Sequence, residues 1–410
     1  MTAHNVLVDV TIIANDTRGG VEPYLALGLE AAKRGHEVRA AAPDDYATAF
    51  AQAGIRFIPL SGVDREAISA HADRSSLREM GRHVADLVPV WARDVRDAAE
   101  GTDLLVAGIG GMGLARPVAA ALGVPLLRAH LQPLDAPSGE YPGPLSPRLD
   151  RLGALGRRLS HVVTQVGTTA LLVGPERVAR RAVGVGTTPT VMLPSIVYGF
   201  SPAVVPVNSN RATRRIATGW WTLPHEAAVD ISPDLGAFLE ESSEVVSIGF
   251  GSMLGPEPER LFDVVAQAVT AVGVRAVVLT GWGGLAGTAP RPDVRAVTAV
   301  PHGWLFPRVA ATVHHGGAGT TGAALRAGVP TFIAPFGADQ PFWGSRTHRL
   351  GVSPAPVPQS RLTVEVLSRS LERMLRDSVM RERAAALGET LRREPGAAGA
   401  VDHLESVVAG

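Results

Sequence analysis

Apolar residues fall along this chain in two alternating rhythms. The run "NVLVDVTIIA" is nearly continuous and rich in β-branched residues, as in a strand covered on both faces. A polar turn, Asn15–Gly20, follows it. Leu25, Leu29 and Ala32 then recur at helical spacing, with Pro23 near the start of that helix and Gly35 past its end. "HEVRAAAP" predicts a second strand, which completes a β–α–β unit with a right-handed crossover. The rhythm repeats with a strand over Thr102–Gly108, a helix over Arg116–Leu122 and the strand "VPLLRAHL". The proline-rich stretch 135–150 reads as an irregular loop, and Leu152–Ala182 as helical.

A second series begins further on. "EVVSIGFGSM" is a strand ending in a Gly-rich turn, "PERLFDVVAQAVTAVG" an amphipathic helix, and "VRAVVLTGWGG" another strand and turn. "AATVHHGGAGTTGAALRAGVPTFIAPFG" reads as strand, Gly-rich turn, helix and strand. From Val364 onward the pattern is mostly helical, and its charges read as a solvated face. Two successive series of this kind predict two doubly wound α/β domains facing a cleft. The aperiodic, Pro- and Asn-containing stretch Ser201–Arg215 is the expected linker. The expected division is 1–205, 216–385, and a C-terminal helix in 386–410 packing back toward the first domain.

Composition narrows the function. A chain of 410 residues is too long for one ordinary core. Hydrophobic residues at 46% and charged residues at 19% are those of a globular protein. The formal net charge of zero leaves no basic excess to neutralise a phosphate backbone, so nucleic acid is not an expected partner. With no cysteine, disulfides, thiolate nucleophiles and Cys-ligated zinc are excluded, and the histidines show no H-E-x-x-H spacing, so no metal site is expected. No segment is a sufficient apolar span, and the N-terminal run contains Asp9 and lacks a basic leader. A cytoplasmic protein without stable membrane insertion is the expectation. Oligomeric state is not legible.

Two segments carry chemistry. "HHGGAGTT" (His314–Thr321) follows an apolar strand and opens a helix. Gly316, Gly317 and Gly319 remove side chains, so backbone N–H groups approach an anion at a positive helix terminus. Thr320, Thr321 and His315 add donors. The alternative is a tight structural turn with capping threonines. No Lys follows the glycines, so this is not a Walker A loop. "PFGADQP" (Pro335–Pro341) lies past the C-terminal end of an apolar strand, where open sheets bind ligands. Asp339 and Gln340 offer paired hydrogen-bonding groups suited to sugar hydroxyls, or form an ordinary acidic loop.

The continuous segment Val300–Arg346 closely resembles the donor-site signature of GT-B glycosyltransferases, especially bacterial antibiotic glycosyltransferases and sterol 3-β-glucosyltransferases. "GFGSM" (Gly249–Met253) and "GWGG" (Gly281–Gly284) resemble the family's other donor-site loops, and "TRGGVEPYLALGLEAAKRGHEVRAAAP" its N-terminal "TRGD-x-x-P" segment. The resemblance implies an inverting, metal-independent transferase using no cofactor beyond its co-substrate. A UDP- or TDP-linked hexose or deoxyhexose would pass to a hydroxyl of a small lipophilic acceptor, a natural-product aglycone or sterol-like alcohol. His315, the Gly316–Ala318–Gly319–Thr320 backbone with Gly317, and Ser252 would hold the diphosphate. Trp282 and the Val300 backbone would lie near the nucleobase, and Asp339 and Gln340 on the sugar. Thr17 and Arg18 are also assigned to the donor. His314 would simply pack.

The sequence departs from the family at the base. The Asp of "TRGD" is replaced by Gly20, which has no side chain to take a proton. Asp16 and Glu22 in the same loop are the candidate substitutes, each alternatively structural, Asp16 as a turn residue. A base outside this loop, or an acceptor that needs little base help, are the other possibilities. His130 is a structural residue or lines an acceptor pocket, and Trp220 and Trp221 suggest interdomain packing. Gly20 also supports a catalytically impaired auxiliary homologue that assists a partner transferase. An epimerase-type GT-B enzyme fits the donor segment poorly. A dinucleotide oxidoreductase lacks a G-x-G-x-x-G after the first strand.

Overall fold

The computed structural model describes residues 7–62, 74–135, 137–208, 213–224, 232–242, 244–251, 258–280 and 291–409. The chain divides into two compact units. Met1–Val63, Arg78–Pro224 and Glu394–Gly410 make one; the other is built on His225–Arg393.

The first unit is a seven-stranded, wholly parallel sheet. Its strands are β1 (Asp9–Ile13), β2 (Glu37–Ala42), β3 (Arg56–Pro59), β4 (Leu104–Ala107), β5 (Leu126–His130), β6 (Met192–Tyr198) and β7 (Arg214–Ala217). They lie in the order β3-β2-β1-β4-β5-β6-β7. The helices are α1 (Arg18–Lys33), α2 (Ala47–Gln52), α3 (Arg74–Ala98), α4 (Ile109–Leu122) and α5 (Gly153–Ala182). Strand burial explains the unbroken apolar runs. Val10 and Ile12 enter one core cluster and Ile13 the other, as do Leu104 and Val106 against Leu105 and Ala107. Alternate side chains thus meet apolar layers on both faces.

The second unit contains α6 (Pro233–Glu240), β8 (Val245–Gly249), α7 (Pro258–Val272), β9 (Arg275–Leu279), β10 (Val294–Val297), α8 (His302–Leu305) and β11 (Ala311–His314). It continues through α9 (Ala318–Ala327), β12 (Thr331–Ile333), α10 (Gln340–Arg349), α11 (Val364–Arg376) and α12 (Ser378–Arg392). Its parallel sheet runs β10-β9-β8-β11-β12. The last helix, α13 (Ala397–Val408), belongs to the first unit and packs on α1 and β6. Arg34 pairs there with Asp402, and His403 Nε2 lies 2.6 Å from Ser195 Oγ. No helix among the described residues is long and apolar enough to cross a membrane.

Three local readings need correction. The helix after β4 begins at Ile109, not Arg116, because the run "GIGGMG" is helical despite its poor propensity. The stretch Ser201–Arg215 runs into β7, which is still paired in the first sheet, and the unit ends only at Pro224. Trp221 is not interdomain packing: it is 2% exposed in the first unit's core, edge-on to Tyr24 at 5.9 Å.

Each strand order reverses once, between β1 and β4 in the first unit and between β8 and β11 in the second. The loops beyond the carboxyl ends of those strand pairs diverge at such a switch point, and open α/β sheets bind ligands there.

Candidate active site

In the second unit the switch-point loops are Phe250–Gly251 after β8 and His315–Gly317 after β11. Burial decides the geometry. His314 ends β11 at 2% exposure, and its Nδ1 accepts the Gly316 N–H at 3.0 Å. That bond requires a neutral ring with its proton on Nε2. His314 is therefore more than packing: it shapes the turn. Gly316 has φ 93°, and a Cβ there would stand 2.6 Å from Ile333 Cγ2. Glycine satisfies both demands of this position.

The His315 imidazole is wedged between two other glycines. A Cβ on Gly251 would lie 2.9 Å from its Cε1, and one on Gly317 2.6 Å from its Nε2. Nε2 is thus set beside the N-cap of α9, where Gly317 supplies no capping side chain. His315 Nδ1 is buried without a hydrogen-bond partner among the described residues, and so is Thr321 Oγ1. Burial lowers the His315 pKa to about 4 and that of His314 well below the usual value. A neutral imidazole donor, backbone N–H groups and a helix dipole converge on one point. That arrangement suits a diphosphate.

The second loop is tied to the same place. Gln340 is 3% exposed, and its Oε1 accepts the N–H of Phe336 at 2.7 Å and of Gly337 at 3.2 Å. Asp339 Oδ2 accepts from Trp343 Nε1 at 2.9 Å. These bonds hold Ala338 in a left-handed conformation, φ 52°, which costs a non-glycine residue about 1 kcal/mol. The loop is therefore shaped by the two residues expected to meet the sugar. Val300 is 7% exposed, packed in the core cluster with Leu305 and Phe306. Ser252 and Trp282 lie outside the described residues, as does the side chain of Arg18.

In the first unit the switch-point segments are the loop Asn15–Thr17 after β1 and, after β4, Gly108 with the first turn of α4, Ile109–Gly111. Thr17 is the N-cap of α1, and its N–H and Oγ1 contact Asp16 Oδ1 at 2.6 and 3.3 Å. The Asp16 carboxyl group lies against Gly20: a Cβ built there would be 2.2 Å from Asp16 Cγ and 2.4 Å from Oδ2. From the β4 side, a Cβ on Gly110 would be 3.1 Å from Oδ2 and 2.4 Å from the Asn15 carbonyl. Asp16 thus fills the space that a side chain at position 20 would need. Glu22 is half-buried one turn into α1.

His130 is 3% exposed at the end of β5, with Nε2 3.3 Å from Asp135 Oδ2. Asp135 is half-buried, yet its pKa is lowered to about 2 because the hydrogen bond and charges of His130, Arg128 and Arg215 outweigh desolvation. His130 and the Gly249–Met253 loop that holds Gly251 were singled out in the sequence, but Asp135 as the partner of His130, and Gly110, were missed. Gly110 had left a signal, as part of a short glycine run directly after a strand.

The buried histidines make stability pH-dependent. His315 and His403 each have folded values near 4, below the unfolded value near 6.5. The unfolded chain then binds more protons between those values. Stability is complete above about pH 6.5 and declines as pH falls toward 4. Each should cost on the order of 1–2 kcal/mol at pH 5, one in each unit. Urea denaturation at pH 7 and pH 5 measures this, and equal midpoints would contradict it.

Both units are thus Rossmann-like, with chemistry-bearing residues at each switch point, which is the build of a GT-B glycosyltransferase. Similarity to known proteins narrows the class. Residues 263–407 match the family described as "Erythromycin biosynthesis protein CIII-like, C-terminal domain". Two Arabidopsis thaliana proteins, sterol 3-beta-glucosyltransferases UGT80A2 and UGT80B1, are 30% and 31% identical over 96% of this chain. The chain spans 64% and 67% of their lengths, and 33% of a Pichia angusta sterol 3-beta-glucosyltransferase at 30% identity. Among solved structures, the glycosyltransferase SnogD from Streptomyces nogalater superposes with TM-score 0.67 at 23% identity, covering 98% of this chain and 100% of its own. SsfS6 from Streptomyces sp. SF2575, complexed with thymidine diphosphate, gives 0.62 at 21% identity, covering 97% and 99%. The chain belongs to the GT-B glycosyltransferase family that includes the sterol 3-beta-glucosyltransferases.

Proposed function

We propose that this protein transfers a hexose or deoxyhexose from a UDP- or TDP-sugar to a hydroxyl of a lipophilic small molecule, with inversion and without a metal. The observation that carries the reading is the wedged, neutral His315 beside the N-terminus of α9, where the N-cap residue is Gly317. The second unit holds the donor, with His315 Nε2 and the Gly317–Thr320 backbone on the diphosphate and Asp339 and Gln340 on the sugar. Thr17 and Arg18 also serve the donor, as do Ser252, Trp282 and the Val300 backbone. The names of the plant relatives and of the thymidine-diphosphate complex support the acceptor and donor classes.

Asp16 is the general base in this reading. Its carboxylate takes the acceptor hydroxyl proton as that oxygen attacks the anomeric carbon from the face opposite the leaving group. The bond from the anomeric carbon to the diphosphate oxygen breaks, and the helix terminus and His315 receive the growing charge. The auxiliary-homologue reading drew its support from Gly20. The carboxylate lying where a side chain at position 20 would be supplies the missing group from position 16.

Isothermal calorimetry tests the donor half. UDP or TDP should bind with a dissociation constant below millimolar, and His315→Ala should weaken binding about tenfold, the loss of one charge-assisted hydrogen bond. No heat from either nucleotide at millimolar concentration would overturn the transferase reading. Mass-spectrometric screening of sterol and macrolide alcohols against both sugar nucleotides then identifies the acceptor.

A further inference from the structure

Helix α5 (Gly153–Ala182) presents an apolar face to solvent. Its inward face is ordinary, with Ser160, His161, Thr164 and Leu172 buried. On the opposite face, Leu155, Leu159, Val162, Val166 and Val173 are 78%, 48%, 53%, 64% and 46% exposed, and Leu152 just before the helix is 67% exposed. Their spacing, three and four residues in alternation through Val166, keeps them on one stripe. The stripe runs for about 30 Å at helical rise. Isolated exposed leucines need no explanation, but a continuous stripe does.

The charge around the stripe selects its partner. No Asp or Glu occurs from Arg151 to Pro175. The two acids that bracket this segment are already engaged, Asp150 with Arg157 and Glu176 with Arg116 and Arg180. Arg148, Arg151 and Arg158 at one end and Arg177 and Arg181 at the other are exposed, and none has an ion pair among the described residues. The whole chain has zero net charge, so this is a local concentration of positive charge.

We infer that this face of α5 lies on an anionic lipid surface, with the stripe at the acyl boundary and the terminal arginines among the phosphates. An in-plane amphipathic helix is recognised by this combination. A second copy of the chain is a poorer occupant. Parallel or antiparallel, two α5 helices would set arginine ends against arginine ends. One small lipophilic molecule is shorter than the stripe. The inference stands apart from the transfer reaction and survives if that reading fails.

Flotation of the full chain with phosphatidylcholine vesicles, with and without phosphatidylglycerol, tests it. The protein should float with the anionic vesicles at least tenfold more than with the neutral ones, and high salt should release it. L155E/V166E should abolish flotation while UDP binding and thermal melting stay unchanged. R177E/R181E should remove the preference for anionic vesicles. No flotation with anionic vesicles, or flotation that survives L155E/V166E, overturns the inference. So does a dimer by light scattering that L155E/V166E dissolves, since the face would then belong to a second copy.

Discussion

Asp16→Asn should lower turnover roughly a hundredfold, within the range that removing a general base costs, and leave UDP or TDP affinity unchanged. The two readouts separate because Asp16 lies in the first unit and the diphosphate residues in the second. Asparagine keeps the shape of the side chain and can still accept the Thr17 N–H, held at 2.6 Å by Oδ1. It cannot take a proton at neutral pH. Gly20 supplies the sharper test. A Cβ there would lie 2.2 Å from Asp16 Cγ, so Gly20→Ala should displace the carboxylate and cost turnover with no acidic group lost. Gly20→Asp alone should do the same. The exchange D16G/G20D removes the clash and starts a carboxylate from the helix side of the same space. It should recover at least a tenth of wild-type turnover. Unchanged turnover in Asp16→Asn would remove Asp16 from the mechanism. An exchange variant no better than Asp16→Gly would show that the two positions are not interchangeable.

This pair also marks how far the sequence could be read. The parallel sheets were legible because strands buried on both faces carry unbroken apolar runs, as β1 and β4 do. The turn after β11 was legible because Gly316 and Gly317 stand between an apolar strand and a helix. That Asp16 fills the space of residue 20 was not legible. It depends on the direction of a side chain across one helical turn, which no one-dimensional spacing encodes. Gly108–Gly113 was misread for a related reason. Propensity argues against a helix there, yet a Cβ at Gly111 would stand 2.1 Å from the Ile13 carbonyl. Close packing of the first turn of α4 on the end of β1 outweighs the local cost of roughly 1 kcal/mol per glycine. The Gln340 amide was read as serving a sugar; that its oxygen also holds the N–H groups of Phe336 and Gly337 was not legible. Burial of a polar side chain is decided by the unpaired backbone around it.

Gly317→Ala should reduce turnover by about a hundredfold, the scale of losing a preorganised donor to the leaving group. The backbone at this position is extended, φ −60° and ψ 146°, so alanine introduces no conformational strain. Its methyl group would instead meet His315 Nε2 at 2.6 Å. On its other side the ring faces Gly251, where there is room for no more than the glycine's own hydrogen, since a Cβ would lie 2.9 Å from Cε1, and the Nδ1 edge is buried. The imidazole must therefore leave the helix terminus, and the diphosphate loses both its side-chain donor and the close approach to the α9 backbone. A double-mutant cycle isolates this cause. If Gly317 acts by making room for the ring, G317A should cost far less in a His315→Ala background than in the wild type, since no imidazole remains to collide with. If the two losses add, the methyl group blocks the diphosphate itself and His315 contributes independently. Either result leaves the α9 terminus as the donor site. Full turnover in G317A would not, because an anion bound there could not ignore a methyl group placed at the first residue of the cradle.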